Sequence, residues 1–211
     1  MSELLLGGIS VALAVIGYGY YIRNTLTGHT RPHALTWLVW SLLNTFVFFE
    51  QTISGAGAGA WVTLTAGFAN FFIFLLALRF GERTITRFDW VCIALVVGML
   101  LFWTRFQDPA ITVLFATTIF VLGLLPTIRK AAKNPHEETA TEYAMASIKF
   151  FLALFALQTF TFVTAFYPLS IAIVNGAFWM YLLIARHRYG PRKAIKKPAR
   201  KPASRKPRKR V

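Results

Sequence analysis

One cysteine, eight acidic residues and four histidines in 211 residues leave few ways to build catalytic or metal chemistry. The single thiol, Cys92, lies inside an apolar run. A disulfide framework and a thiol metal cluster are therefore excluded, and a buried small hydrophobe is the expected role. His29, His33, His136 and His187 fall in loops or at the ends of apolar runs without ligand spacing, so no metal is expected. No segment carries paired carboxylates, a Ser/His/Asp set or HExxH. The chain is not expected to be an enzyme, and no cofactor is read from it. Charge is also scarce, at 15% of residues against roughly 25% in a soluble domain.

What fills the chain instead is hydrophobic residues, 56% of the total. Apolar runs recur at about 3–22, 33–51, 60–79, 89–104, 109–127, 143–160 and 167–186. At 1.5 Å per residue, runs of this length cross a hydrocarbon core of roughly 30 Å. They are continuously apolar where barrel strands would alternate, which disfavours a β-barrel. The first run has Glu3 where a signal peptide has positive charge, and no small-residue cleavage site closes it, so it is read as a true span. The expected class is an all-α polytopic membrane protein of seven transmembrane helices.

The net charge of +15 suggests nucleic acid until it is placed along the chain. Residues 186–211 carry +13 and the other 185 residues only +2. Between the runs, basic residues alternate: Arg23 and Arg31, none, Arg79, Arg83 and Arg87, only Arg105, Arg129 with Lys130 and Lys133, none. Lys and Arg are retained on the cytoplasmic side during insertion. The N-terminus is thus expected outside and the C-terminus in the cytoplasm, which requires an odd number of spans. The tail, 189–211, combines like charges with four prolines and is expected to be disordered, tethered to anionic lipid headgroups. Nucleic acid is disfavoured as its partner, because no aromatic or groove-reading pattern accompanies the charge.

Polar residues inside a bilayer are costly, so their spacing is informative. Asn44 and Asn70 lie 26 apart, and so do Lys149 and Asn175; one shift of 105 superposes both pairs and carries Thr36 onto Thr141. With one residue of slippage, YYIRN (20–24) falls over PTIRK (126–130). The chain thus reads as a 3+1+3 parallel repeat: three-helix units at 1–80 and 107–188, joined by a linker helix at 81–106.

This arrangement, with LLPTIRKAAKN (124–134), resembles the PQ-loop/SWEET superfamily, whose repeats carry a Pro-Gln pair followed by a basic loop. RPHALTWLVW, the Gly/Ala-rich outer loop, RFDW (87–90) and PTIRKAAKNPHEE are most similar to small bacterial multi-pass members. Pro126 matches the proline; Thr127 stands for the glutamine, and Tyr20 and Tyr21 occupy the first repeat's pair. The resemblance implies a small-solute carrier of the cell inner membrane, with an asparagine on the third helix of each repeat facing a central pocket. Asn70 and Asn175 occupy those positions. The family's tryptophan on each second helix is replaced by Gly55 and Phe160, so a sugar-stacking platform is missing.

Lys149 is the strongest anomaly, since an ammonium at mid-helix costs about 2.5–3.5 kcal/mol on insertion scales. The repeat predicts Asn44 and Asn175 as its neighbours, with snorkelling toward the cytoplasm as the alternative. Glu50 and Glu142 lie toward opposite ends of their runs, so neither is expected as a partner. Trp37 and Trp40 occupy the first turn and a half of the second run, where interfacial anchors gather. Their WxxW spacing is also similar to that of nicotinamide-riboside carriers, where tryptophans pack on the ligand. Trp179, four residues after Asn175, shares its helical face and is read as a cavity wall. The expected substrate-binding set is Asn44, Asn70, Lys149, Asn175 and Trp179, serving a polar small molecule; membrane lipids are expected partners, and a homo-oligomer is compatible. The competing expectation is a scaffold or sensor acting through its basic tail.

Overall fold

The computed structural model describes residues 2–82 and 86–189; Arg83 and the basic tail from 190 onward lie outside the described residues. The described chain is all-α, with helices α1 (Glu3–Leu26), α2 (Ala34–Ile53), α3 (Trp61–Phe80), α4 (Arg87–Phe106), α5 (Pro109–Lys133), α6 (Ala140–Leu154) and α7 (Phe162–Tyr189). A 3-10 turn, Gly57–Ala60, leads into α3.

The helices begin where the sequence places start signals. The Ser2 hydroxyl accepts from the Leu5 amide, with Glu3 in the first turn. Asp89 Oδ2 accepts from both the amide (2.6 Å) and the hydroxyl (2.8 Å) of Thr86 at the head of α4. Asp108 caps α5 and Pro109 follows it at the first helical position. Between α4 and α5, Gln107 takes a left-handed φ of 49°, which reverses the chain in two residues.

Five helices are long and apolar enough to span a membrane: α1, α3 with its 3-10 turn, α4, α5 and α7. The other two depart from the expected spans. α2 has the length but carries Ser41, Asn44, Glu50 and Gln51. α6 has 15 residues, about 22 Å, and stops six short of the predicted end. Near and distant contacts end it: Thr164 Oγ1 donates to the Thr159 carbonyl at 2.6 Å, Thr161 and Thr164 exchange bonds at the head of α7, and the Gln158 backbone amide donates to the Ala56 carbonyl of the α2–α3 connection. Hydroxyls that bond nearby backbone favour a turn over helix continuation. Gly55 and Phe160 lie beyond the ends of α2 and α6, in the connections to α3 and α7.

The polarity of the bundle is inverted relative to a soluble protein. Phe68, Phe71, Trp90, Leu101 and Ile173 are exposed, whereas Glu50, Gln51, Asn70, Glu142 and Lys149 are buried. Large contiguous apolar surface needs an apolar solvent. The described chain thus has the composition and surface of a helical membrane protein.

Neighbour relations are specific. α3 lies between α1 and α2, and α7 between α5 and α6; α1 also packs on α6, α5 on α2, and α4 on α5 and α2. The loops gather at two ends. At one, the Arg31 amide donates to Glu137, Thr30 meets Thr139, and Tyr189 of α7 bonds Ala132. Arg23, Arg31, Arg79, Arg129, Lys130, Lys133 and Arg186 belong to this basic end. At the opposite end, the start of α1 meets the 3-10 turn, and the turn meets Gln158 of the α6–α7 connection.

Each of two helices contains a proline. Pro168 removes the amide that would bond the Thr164 carbonyl, and Gln51 of α2 supplies the missing donor, Nε2 to O at 3.0 Å. Gln51→Leu leaves that buried carbonyl bare and is expected to cost about 1–3 kcal/mol, read as a lower unfolding midpoint in detergent.

Candidate functional site

Glu142 and Lys149 stand seven residues apart on α6, two turns, and so share a face. That face is turned to α1. Lys149 Nζ donates to Glu142 Oε1 at 2.9 Å and lies 3.6 Å from the centre of the Tyr18 ring. Lys149 has no exposed surface and Glu142 almost none. Gly17 makes the approach possible, because a Cβ there would collide with Glu142 Oε2 and sit 2.9 Å from the Met145 Cβ. The ion pair thus lies within α6, and the Tyr18 ring of α1 adds a cation–π contribution that is largest when desolvated. Glu142 Oε2 has no hydrogen-bond partner.

This geometry corrects the expectation for Lys149. Its partner is Glu142, not Asn44 or Asn175, and it does not snorkel. The helix begins at Ala140, three residues before the predicted run, so Glu142 is inside the helix and covered by the bundle.

A second hub forms at the basic end around Glu138. Its carboxylate pairs with Lys130 and accepts from Tyr143 at 3.0 Å and Tyr21 at 3.5 Å; its carbonyl accepts from Arg186. Lys130 Nζ also donates to the Arg31 carbonyl. The carboxylate thereby ties α1, α5 and α6 together, the carbonyl of the same residue adds α7, and Lys130 adds the first loop.

Trp37 and Trp40 are 3% and 4% exposed, so the interfacial-anchor reading is overturned. They sit in a chain of rings: Tyr21 to Trp37 at 4.6 Å, Trp37 to Trp40 at 5.3 Å, Trp40 stacked on Phe120 at 4.7 Å, Phe120 to Tyr167 at 6.2 Å. The Trp40 Nε1–H donates to the Phe120 carbonyl at 3.1 Å, and the Thr36 hydroxyl to Gly123. Indoles on the face turned to α1 and α5 leave the bilayer for the core, where each N–H needs a partner.

The asparagines are buried but are not joined to one another. Asn44 and Asn175 each donate to the carbonyl four residues back, Trp40 and Ile171, both at 2.8 Å. Asn70 makes no hydrogen bond through its Oδ1, and neither does Asn44. Trp179 is half-buried against the main core, beside the fully packed Phe178. Cys92 is buried, as expected. Among the described residues there is no group of three or more His, Cys, Asp or Glu able to hold a metal.

Sequence reasoning missed Glu142, Glu138, Tyr18 and Gln51. The seven-residue Glu142/Lys149 spacing was a usable signal; the contacts of Glu138 run through loops and carried none. No protein-family model, curated protein or solved structure matches this chain.

Proposed function

We propose that this chain is an integral membrane carrier for a small polar solute, working by alternating access between two three-helix units, 1–80 and 107–188, with 81–106 as linker. The observation that carries the reading is the pattern of helix neighbours. In each unit the third helix lies between the first two, and the first helix of each unit crosses the second helix of the other, α1 on α6 and α5 on α2. Units related in this way can rock about a shared axis. Gly17 and Gly123, 106 apart like YYIRN and PTIRK, support the same relation: each stands at the crossing, against Glu142 and Met145 on α6 and against Trp40 on α2.

The solute class follows from the unpartnered atoms. Asn44 Oδ1, Asn70 Oδ1, Gln51 Oε1 and Glu142 Oε2 are acceptors, and the Thr63 and Tyr167 hydroxyls can also donate. An interior with more free acceptors than donors favours a solute rich in hydroxyl groups, which donate and accept. The concentration of Arg and Lys at one end supports a cytoplasmic setting for that end, with the N-terminus outside.

A thermal-shift screen of the purified chain against sugars, amino acids, vitamins and nucleosides identifies the solute: a binder at 100 times its Kd stabilises by about 2.7 kcal/mol. In liposomes holding that solute, Asn175→Ala is expected to lower uptake at least tenfold while insertion and helix content stay normal. Undiminished uptake, or a screen with no binder and no flux, overturns the carrier reading.

A further inference from the structure

At the basic end a cavity of about 440 Å³ opens between the first and third loops and the end of α5. Its lining includes Arg31, Arg129, Lys130, Lys133, Glu82 and Glu137. The volume is that of a small-molecule site. Lys130 is already neutralised by Glu138. Arg31, Arg129 and Lys133 take part in no ion pair among the described residues, so three uncompensated cations face two carboxylates. Among the described residues the balance is one positive charge.

A second cavity, about 240 Å³, shares Glu82 with the first; apart from His33 the rest of its lining is apolar, with Leu35, Phe74, Ala77 and Leu78 between the start of α2 and the end of α3. A basic chamber beside an apolar crevice is complementary to an amphiphile. We propose that the basic cavity binds a phosphate-bearing anion, and that the adjoining crevice makes a phospholipid with one net negative charge its ligand. A phosphodiester carries the single charge that balances the lining, and guanidinium groups bind its oxygens through paired, planar N–H donors. An acyl chain then lies in the crevice against Leu35, Phe74, Ala77 and Leu78. This site is independent of whether the chain transports a solute.

The test is thermal unfolding of the full chain in detergent, with dioleoyl-phosphatidylglycerol, dioleoyl-phosphatidylcholine or soluble glycerol 3-phosphate added. Phosphatidylglycerol is expected to raise the unfolding midpoint, and Arg129→Gln/Lys133→Gln to weaken that effect at least tenfold. The basic tail is the same in both proteins, so it cancels. Arg129→Lys/Lys133→Arg should retain the response, and so should Arg79→Gln, which lies outside the cavity. A response to glycerol 3-phosphate that vanishes in the double variant also supports the site and identifies the ligand as a soluble phosphate. Should the double variant not fold, acylation of Lys133 in the wild-type chain decides: phosphatidylglycerol vesicles protect it and phosphatidylcholine vesicles do not. An equal response in the double variant, an equal loss in Arg79→Gln, or no protection of Lys133 overturns the proposal.

Discussion

Lys149→Met is expected to destabilise the folded chain by about 3–5 kcal/mol, because it strands the buried Glu142 carboxylate without its counter-charge. Lys149→Met/Glu142→Leu should recover most of that loss. Replacing both members of a buried ion pair with apolar groups of similar volume is typically neutral or stabilising by about 1–4 kcal/mol. The measurement is the unfolding midpoint of the single and double variants in detergent against wild type. A double variant as unstable as the single would mean that the lost contact with Tyr18 of α1, at 3.6 Å, and not the stranded carboxylate, carries the destabilisation. The same pair of proteins separates fold from function. A stable double variant that no longer moves solute assigns the pair to transport; one that transports normally leaves it only a structural role.

Loss of the Glu138 carboxylate has the next largest expected consequence, because that one group is shared by Lys130, Tyr21 and Tyr143. Glu138→Ala leaves a nearly buried ammonium and two phenol hydroxyls without their acceptor. The basic end should open more often. Thr139 is 4% exposed there and bonds Thr30 and Asn24, so a cysteine at 139 reports that opening through reaction with a membrane-impermeant maleimide. With Cys92 replaced by Ala, the Thr139→Cys labelling rate should rise more than tenfold on adding Glu138→Ala; each tenfold corresponds to about 1.4 kcal/mol in the opening equilibrium. An unchanged rate would show that Arg186 and the backbone bond from Arg31 to Glu137 keep the end shut without Glu138. On the proposed carrier reading this hub is a gate, since Tyr21 and Arg31 fall in the proposed first unit and Lys130, Tyr143 and Arg186 in the proposed second.

Much of this architecture was legible in the amino-acid order. Continuous apolar runs specify helices in a bilayer whatever lies beside them, because backbone groups there must bond within their own segment. Ser2, Thr86 with Asp89, and Asp108 with Pro109 marked helix starts through chemistry confined to four residues. The cost of an ammonium in hydrocarbon singled out Lys149 before any neighbour was known. The end of α6 was not legible: the run of 143–160 is apolar enough to continue, and the turn is drawn by Thr164 and by Ala56 of a distant loop.

What only the tertiary structure decided is which way each helix faces. A helix apolar on all sides carries little periodic signal for its inward face. Trp37 and Trp40 therefore read as interfacial from position alone, whereas the rotation of α2 sends both rings to α1 and α5. The burial of Lys149 depended on the same freedom. The seven-residue spacing puts Glu142 on its helix face, but α1, crossing at Gly17, is what takes the pair out of solvent. Spacing offered the counter-charge; the packing of α1 on α6 decided that the pair is buried.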